Sequence, residues 1–247
     1  MSYFSFIGNF FSQFLDLREC HISQWIINEN DYSNKGLIGD GEFAYVYKIQ
    51  KKSTGELFAL KCLKDYESSS DFIREALILI GLKHPCVANL KGVVLQGNIK
   101  IMTEYYQNKS LADTLEKEHL LNHTEISKII IGIVAGMRYI HKRCVIHRDL
   151  KPKTVLLDKN FHPKIGGFNL SKPFKQGTED EIEQTLNIGT CLYMAPEVTL
   201  DCHYSNKVDV FSYSILLYQL LSLNEPYENL LKRNYHNLMK FVHKGIR

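Results

Sequence analysis

The sequence lacks three features that would assign it to a broad class. Its apolar runs fall short of the roughly 20 residues that a membrane-spanning helix needs, so we expect no transmembrane segment. A formal net charge of +3 over 247 residues is too small to indicate nucleic acid or a membrane surface as a partner. The six cysteines form no C-x-x-C pair and have no nearby histidine at zinc-binding spacing. Free thiols in a reducing compartment are therefore favoured, which predicts a cytoplasmic protein.

The N-terminal segment is rich in phenylalanine but lacks the marks of a signal peptide. Residues 2–15 contain five phenylalanines and no charged residue. A basic n-region and a small-residue cleavage site are both absent. Spacing at positions 6, 10 and 14 is that of a one-sided helix. We expect residues 1–25 to be an extension whose short amphipathic helix packs on the domain or on a partner. A membrane-surface anchor is the weaker alternative, because such helices usually carry lysine and arginine.

Short strands are predicted between Leu37 and Leu63, and a glycine-containing loop separates the first two. Glycines at 39 and 41 lack the side chains that would keep a phosphate away from backbone amides. Ala44 takes the place of the third glycine in G-x-G-x-x-G. Alone, this stretch is better explained as a plain glycine hairpin, so its interpretation depends on the strand and helix that come after it in the chain.

A lysine and a glutamate occur in the next two apolar segments. Lys61 belongs to the strand Phe58–Lys61, whose alternating pattern predicts burial. An isolated lysine in a strand is usually solvated, but in a buried strand it needs a partner or must line a cleft. Glu75 lies within the apolar face of the next predicted helix. The pattern therefore predicts a Lys61–Glu75 ion pair, of the kind that holds a lysine toward phosphates.

The longest motif runs from His147 to Asn169. It combines an apolar strand, the loop H-R-D-L-K-P-K-T and a short hairpin. A loop of the form H-R-D-L-x-x-x-N followed by D-F-G contains a catalytic aspartate and two metal ligands. Asp149 stands at the place of the catalytic aspartate. However, Thr154 replaces the asparagine, and Gly167-Phe168-Asn169 replaces D-F-G.

Taken in order, these motifs resemble those of the eukaryotic protein kinase family. The glycine loop, the A-x-K strand, the helix glutamate, H-R-D-L-K-P and Ala195-Pro196-Glu197 follow one another at family-like spacings. The resemblance covers residues 30–247 and implies a bilobal α+β fold. Residues 30–107 would form a small β-rich lobe with one main helix and the hinge. Residues 108–247 would form a larger, mostly helical lobe. We expect that lobe to be incomplete at its C-terminal end, because the family's lobe continues past the helix predicted at Leu230–His243.

The resemblance also implies roles for individual residues. The catalytic set would comprise Asp149, Lys151, Lys61, Glu75 and Thr190. The residues that would bind ATP are Ile38, Gly39, Asp40, Gly41, Val46, Ala59, Lys61, Thr103, Glu104, Tyr106 and Leu156. Thr103 would be the gatekeeper, and the backbone of Glu104 and Tyr106 would bind an adenine edge. The regulatory spine would comprise Leu79, Leu90, His147 and Phe168, and Asp209 would anchor the catalytic-loop backbone.

The subclass follows from three local features. Lys151 and Gly189-Thr190 resemble the serine/threonine type rather than the tyrosine type. Thr103-Glu104-Tyr105 resembles the corresponding segment of the tyrosine-kinase-like group. The resemblance therefore implies a serine/threonine protein kinase of the tyrosine-kinase-like (TKL) group, with ATP as its cofactor.

The departures at Thr154 and Gly167 affect the expected activity. Magnesium prefers octahedral oxygen ligation with one or two carboxylates, whereas glycine has no side chain and threonine has one neutral hydroxyl. Losing both ligands would slow phosphoryl transfer by about 10³-fold or more, so we assign no metal ligand and expect magnesium binding to be impaired.

The sequence therefore favours a pseudokinase that acts as a nucleotide-responsive switch or scaffold for signalling partner proteins. Two alternatives remain open. One is an active serine/threonine kinase with compensated metal binding and a protein substrate. The other is a folded remnant that binds no nucleotide.

Overall fold

The computed structural model describes residues 22–41, 44–64, 69–95, 99–116, 121–174, 192–200 and 205–228. The chain divides into two compact units, Met1–Lys83 with Ala88–Tyr105 and His84–Val87 with Tyr106–Arg247. The first unit is built on a sheet and the second mainly on helices, which confirms the predicted bilobal α+β class. The helices predicted within residues 2–15 and at Leu230–His243 lie outside the described residues. Within the described ranges, none of the helices has both the length and the apolar character needed to cross a bilayer.

The first unit contains an antiparallel sheet and one long helix. Its strands are β1 (Tyr32–Asp40), β2 (Ala44–Lys51), β3 (Leu57–Leu63), β4 (Leu90–Val94) and β5 (Lys100–Glu104), in the order β1-β2-β3-β5-β4. Helix α1 spans Ser69–Gly81. Side chains alternate between the two faces of a strand. One face buries an apolar cluster of Ile49, Phe58, Leu60 and Met102. The opposite face carries four of the residues predicted to bind nucleotide, Val46, Ala59, Lys61 and Thr103.

A segment before β1 packs against β4. Residues 22–31 include two short 3-10 helices, and the amide of Ile27 donates a hydrogen bond to the carbonyl of Val93 at 3.0 Å. Gly92 makes this approach possible, because a Cβ built there would lie 2.3 Å from Ile27 Cγ2. Lys100 Nζ lies 2.6 Å from a carboxylate oxygen of Glu29 and ties the segment to β5. The sheet is therefore covered by chain that precedes its first strand.

The second unit combines helices with two short antiparallel strand pairs. The helices are α2 (Leu111–Leu115), α3 (His123–Lys142), α4 (Pro196–Leu200) and α5 (Lys207–Ser222). Strand β6 (Val145–Ile146) pairs with β9 (Lys172–Pro173), and β7 (Val155–Leu157) pairs with β8 (Pro163–Ile165). Asn122 and Glu125 begin α3 with reciprocal side-chain to backbone hydrogen bonds, which satisfy amides that a helix start leaves unpaired.

Helix α3 approaches β8 closely at two glycines. A Cβ at Gly132 would lie 2.4 Å from Pro163 Cγ, and one at Gly136 would lie 2.7 Å from Ile165 Cδ1. Both distances are too short for real carbon–carbon contacts, so only glycine fits at this packing distance. The contact fixes the β7–β8 hairpin on α3 and thereby the loop between β6 and β7. That loop contains the H-R-D-L-K-P motif.

Replacing Gly92 with alanine tests the packing of the N-terminal segment. We expect Gly92→Ala to lower the free energy of unfolding by about 1–3 kcal/mol, because the added methyl group overpacks against Ile27. Urea denaturation measures this change. In an Ile27→Ala background the same substitution should cost much less, since the clashing methyl group is gone. An equal cost in both backgrounds would contradict the packing described.

Candidate functional site

The glycine loop lies at the end of β1. Gly39 pairs with Val46, and Asp40 pairs with Tyr45 in β2, while the amide of Gly41 donates to the carbonyl of Ala44 at 3.0 Å. Neither Gly39 nor Gly41 has a positive φ. Glycine therefore suits these two positions because it is small, and not because the backbone adopts an unusual conformation there. Ile38 lies in the same strand, and the carboxylate of Asp40 is 2.6 Å from Lys64 Nζ.

Lys61 and Glu75 form the predicted contact. Lys61 Nζ lies 2.5 Å from Glu75 Oε2, and the glutamate is only 4% exposed. The ammonium group also lies 5.2 Å from the centre of the Phe72 ring, a distance at which cation–π attraction operates. A buried carboxylate is costly without a charge partner. The pair therefore fixes the direction in which the lysine extends from β3.

The strand register places further nucleotide candidates on the face that carries Lys61. Val46 is directly opposite Lys61, and Ala59 is directly opposite Thr103. Because directly paired residues share a face and alternate residues of a strand do too, all four side chains lie on one face. This face is opposite the buried apolar cluster of the sheet. The arrangement offers a partly buried surface in which apolar side chains lie beside Lys61, and Lys48, directly opposite Ala59, lies on the same face.

The end of β5 holds the residues predicted to contact an adenine edge. The amide of Glu104 donates to the carbonyl of Asn89 at 3.2 Å, and the hydroxyl of Thr103 donates to the carbonyl of Glu104 at 3.3 Å. The Glu104 side chain pairs with Lys91 at 2.8 Å. Tyr106 belongs to the second unit and is 6% exposed. The adenine role of these backbone groups stays a prediction.

In the second unit, Asp149 and Lys151 lie within the loop after β6. Asp149 is 8% exposed, and its carboxylate lies 2.8 Å from Lys151 Nζ. Leu156, predicted below the base, lies in β7 and forms an isolated bridge with Ser110. A nearly buried carboxylate beside one ammonium group can accept a proton or orient a hydroxyl group.

The loop backbone is held by Asp209 of α5. This carboxylate is 1% exposed and accepts hydrogen bonds from the amide of His147 at 2.9 Å and the amide of Arg148 at 2.8 Å. His141 Nε2 lies 2.8 Å from the same carboxylate. Arg148 has a φ of +64°, a conformation that non-glycine residues rarely adopt. The predicted anchoring role of Asp209 is confirmed.

His147 connects the loop to the segment after β8. Its Nε2 is 2.8 Å from the carbonyl of Gly166, while its Nδ1 is 3.2 Å from the amide of Asp149. A carbonyl only accepts and an amide only donates, so the ring is neutral with its proton on Nε2. The ring also meets Phe168 edge-on, with centroids 4.9 Å apart. Both side chains are fully buried.

Thr154 and Gly167, which stand at the two metal-ligand positions of the motif, are in contact. Gly167 has a φ of +76°, and a Cβ built on it would lie 2.6 Å from Thr154 Cγ2. The Thr154 hydroxyl lies 2.8 Å from the carbonyl of Asp149 and 3.0 Å from that of Lys151, and it accepts from the amide of Lys151 at 3.1 Å. The hydroxyl oxygen is therefore engaged with its own loop.

Asp158 is the next acidic residue after Asp149 in the sequence, and its role is structural. Its carboxylate accepts the amides of Asn160 and His162, each at 2.9 Å, at the β7–β8 turn. Burial alone would raise the pKa of Asp158, but these amides, with His162 and Lys164 nearby, lower the pKa below its usual value. Among the described residues, no group of three or more histidine, cysteine, aspartate or glutamate side chains could hold a metal ion.

One predicted site residue lies outside the described part of the structure. Two contacts within the site were not predicted from the sequence. Thr190 lies outside the described residues. The hydrogen bonding of Thr154 was missed, although a threonine three residues after Lys151 is a known spacing for side-chain to backbone hydrogen bonds. Ser171 was also missed: its hydroxyl donates to the carbonyl of His147 at 3.1 Å. Nothing in the sequence around Ser171 signals that contact.

Comparison with known proteins identifies the family to which the chain belongs. A model described as "protein kinase domain" matches residues 32–245. Serine/threonine-protein kinase VIK of Arabidopsis thaliana is 35% identical over 212 residues, which cover 81% of this chain and 48% of the relative. Cysteine-rich receptor-like protein kinase 25 of the same plant is 37% identical over 203 residues, covering 78% and 30%. Dual specificity protein kinase shkB of Dictyostelium discoideum is 31% identical over 233 residues, covering 91% and 35%.

The sheet-based unit, the helical unit and the loop on Asp209 define a bilobal kinase-type domain. The chain belongs to the protein kinase family. Two of the named relatives are described as a serine/threonine-protein kinase and a dual specificity protein kinase. The chain spans about half or less of the length of these relatives.

Removing the anchor at Asp209 should loosen the loop. In Asp209→Asn, an NH₂ group replaces one of the oxygens that accept backbone amides, so a buried donor is left unpaired. We expect the free energy of unfolding to fall by about 2–4 kcal/mol, measured by urea denaturation. Asp31→Asn, at an exposed position, is the control and should change the value by less than about 0.5 kcal/mol. Equal effects of the two changes would contradict the anchoring role.

The raised pKa of Tyr193 predicts that the folded protein loses stability at high pH. Burial, assisted by Glu225 and opposed by the hydrogen bond to Gln219, raises the pKa of Tyr193 from 10.0 to about 12. Between these values the unfolded chain has lost the phenolic proton and the folded chain has kept it. Stability should therefore be complete below pH 10 and fall as pH rises toward 12. Tyr193→Phe should show a shallower decline in thermal unfolding over this range. Parallel profiles for the two proteins would refute the assignment.

Proposed function

We propose that this chain is a pseudokinase of the serine/threonine, tyrosine-kinase-like type that binds ATP and partner proteins, with little or no phosphoryl transfer. The observation that carries the proposal is a contrast between two sets of residues. Lys61 and Glu75 keep a close ion pair, 2.5 Å apart. At Thr154 and Gly167, by contrast, no carboxylate is available.

ATP binding is supported by the shared face of β2, β3 and β5. Val46 and Ala59 present small apolar side chains beside Lys61, which suits an aromatic base next to a phosphate-binding cation. Glu75 fixes the lysine, so little side-chain entropy remains to be lost when a phosphate binds. In this proposal, Ile38, Gly39, Asp40 and Gly41 cover the phosphates, and Thr103, Glu104, Tyr106 and Leu156 line the base, as the family resemblance implies.

The residues around Thr154 do not fit the magnesium ion that the family uses. The Thr154 oxygen already accepts the amide of Lys151, and Gly167 has no side chain. The remaining loop carboxylate, Asp149, is paired with Lys151 at 2.8 Å. Divalent magnesium needs a nearly complete shell of oxygen ligands, so we derive no transfer step through a metal. Retained fold and lost ligands together support a role in which nucleotide occupancy is sensed by partner proteins.

The proposed compartment is the cytoplasm. Cys62, Cys86 and Cys144 are free thiols, and burial raises the pKa of the first two. Protonated, partly buried thiols suit a reducing environment.

Thermal unfolding with ATP, in EDTA and in excess magnesium, tests the proposal. We expect ATP at about 100 times its dissociation constant to add about 2.7 kcal/mol, a rise in Tm of roughly 5–11 °C, equally in both conditions. Lys61→Met should abolish the shift, whereas Lys35→Met, at an exposed residue of β1, should keep it. No shift in the parent protein would favour the remnant hypothesis.

Phosphoryl transfer separates the proposal from the active-kinase alternative. The Asp149–Lys151 pair supports that alternative, because a carboxylate 2.8 Å from an ammonium group suits the roles that the family resemblance implies for these two residues. Incubation with radiolabelled ATP, magnesium and a generic protein substrate should give no product above that of Asp149→Asn. Transfer by the parent protein that Asp149→Asn abolishes, together with a magnesium-dependent ATP shift, would establish the active kinase instead.

A further inference from the structure

Position 167 is sterically closed to any side chain. Gly167 has a φ of +76°, and its Cβ position would lie 2.6 Å from Thr154 Cγ2 and 3.1 Å from Thr154 Cβ. Cγ2 is bonded directly to Cβ, so it cannot move away without rotating the side chain. That rotation would also move Oγ1, because both atoms share the χ1 torsion.

The rotation is opposed by the hydrogen bonds of Thr154. Its hydroxyl bridges the carbonyls of Asp149 and Lys151, at 2.8 and 3.0 Å, and accepts the amide of Lys151 at 3.1 Å. Its own amide donates to the carbonyl of Lys151 at 3.0 Å, and its carbonyl accepts the amide of Gly166 at 2.9 Å. Thr154 thus joins the catalytic loop to the residue immediately before Gly167.

We propose that Thr154 and Gly167 are one coupled substitution. Thr154 is a positioning residue: its hydroxyl orders the backbone of Asp149–Lys151, and its methyl group fills the volume that a side chain at 167 would occupy. This inference rests on the proposed function and deepens it, because it predicts that a carboxylate restored at position 167 alone does not fit. An aspartate at position 167 fits only when the methyl group at position 154 is removed.

A double-mutant cycle separates the methyl contact from backbone strain. Strain at positive φ penalises Gly167→Ala whatever residue is at 154, whereas the contact penalises it only when Cγ2 is present. Thr154→Ser removes Cγ2 and keeps the hydroxyl. In urea denaturation, we expect Gly167→Ala to lower the folding equilibrium constant about 5-fold more strongly beside threonine than beside serine. Costs that agree within about twofold in the two backgrounds would overturn the coupling.

The positioning role has a separate local test. Thr154→Val keeps the methyl group and removes the hydroxyl, so the amide of Lys151 loses its acceptor. Hydrogen exchange should show faster exchange of that amide in Thr154→Val and near-parent exchange in Thr154→Ser. Global stability loss alone would accelerate many amides together. Equal protection of the Lys151 amide in the parent, serine and valine proteins would overturn the positioning role.

A magnesium readout completes the test without requiring activity. In thermal unfolding with ATP, the double variant that carries Thr154→Ser and Gly167→Asp should show a magnesium-dependent rise in Tm. The single variant Gly167→Asp should show no such rise or should fail to fold. An equal gain in both proteins would overturn the coupling, and so would failure of both to fold. The proposed function fails independently, if the parent protein's own ATP shift depends on magnesium.

Discussion

One buried carboxylate holds the catalytic loop in place. Asp209 is almost completely buried and meets two loop amides and an imidazole of α3. A charge at this depth is tolerated only while its hydrogen-bond partners stay in position. The loop and helices α3 and α5 must therefore move together, because a separate movement of any one of them would leave the carboxylate of Asp209 without a hydrogen-bond partner. The unusual φ of Arg148 persists for the same reason, because the amide of Arg148 must point at Asp209.

The parts of this structure that were predictable arise from local patterns with one physical cause each. Alternation predicted the buried strand of Lys61, and helical spacing predicted Glu75 beside its apolar stripe, so their contact followed. Asp209 and the packing of His147 and Phe168 were implied by the family resemblance. Contacts that depend on close approach between distant residues were not predictable. In the sequence, Gly92 resembles any other glycine in a strand. The need for glycine at this position is evident only from the folded chain, where Ile27 packs against it.

The same limit applies at the candidate site. Sequence comparison identifies Thr154 and Gly167 as two separate departures from a motif, because a motif treats its positions independently. In the folded chain, Thr154 leaves no room for a side chain at position 167, and the carbonyl of Asp149 holds the hydroxyl of Thr154 in place. Physical coupling between side chains is invisible to a pattern that records identities alone. The proposed coupling therefore treats the two departures from the motif as one change.

The proposed coupling connects the order of the loop with the metal binding that the proposed function lacks. The hydroxyl of Thr154 donates to a loop carbonyl and accepts a loop amide, which engages its proton and one of its two lone pairs. The group that could in principle have approached a metal instead orders the backbone around Asp149. Under the proposed function, nucleotide binds beside Lys61 and Glu75 of the first unit. Within the second unit, the hydroxyl of Thr154 already orders the backbone of Asp149–Lys151 through hydrogen bonds of the chain itself.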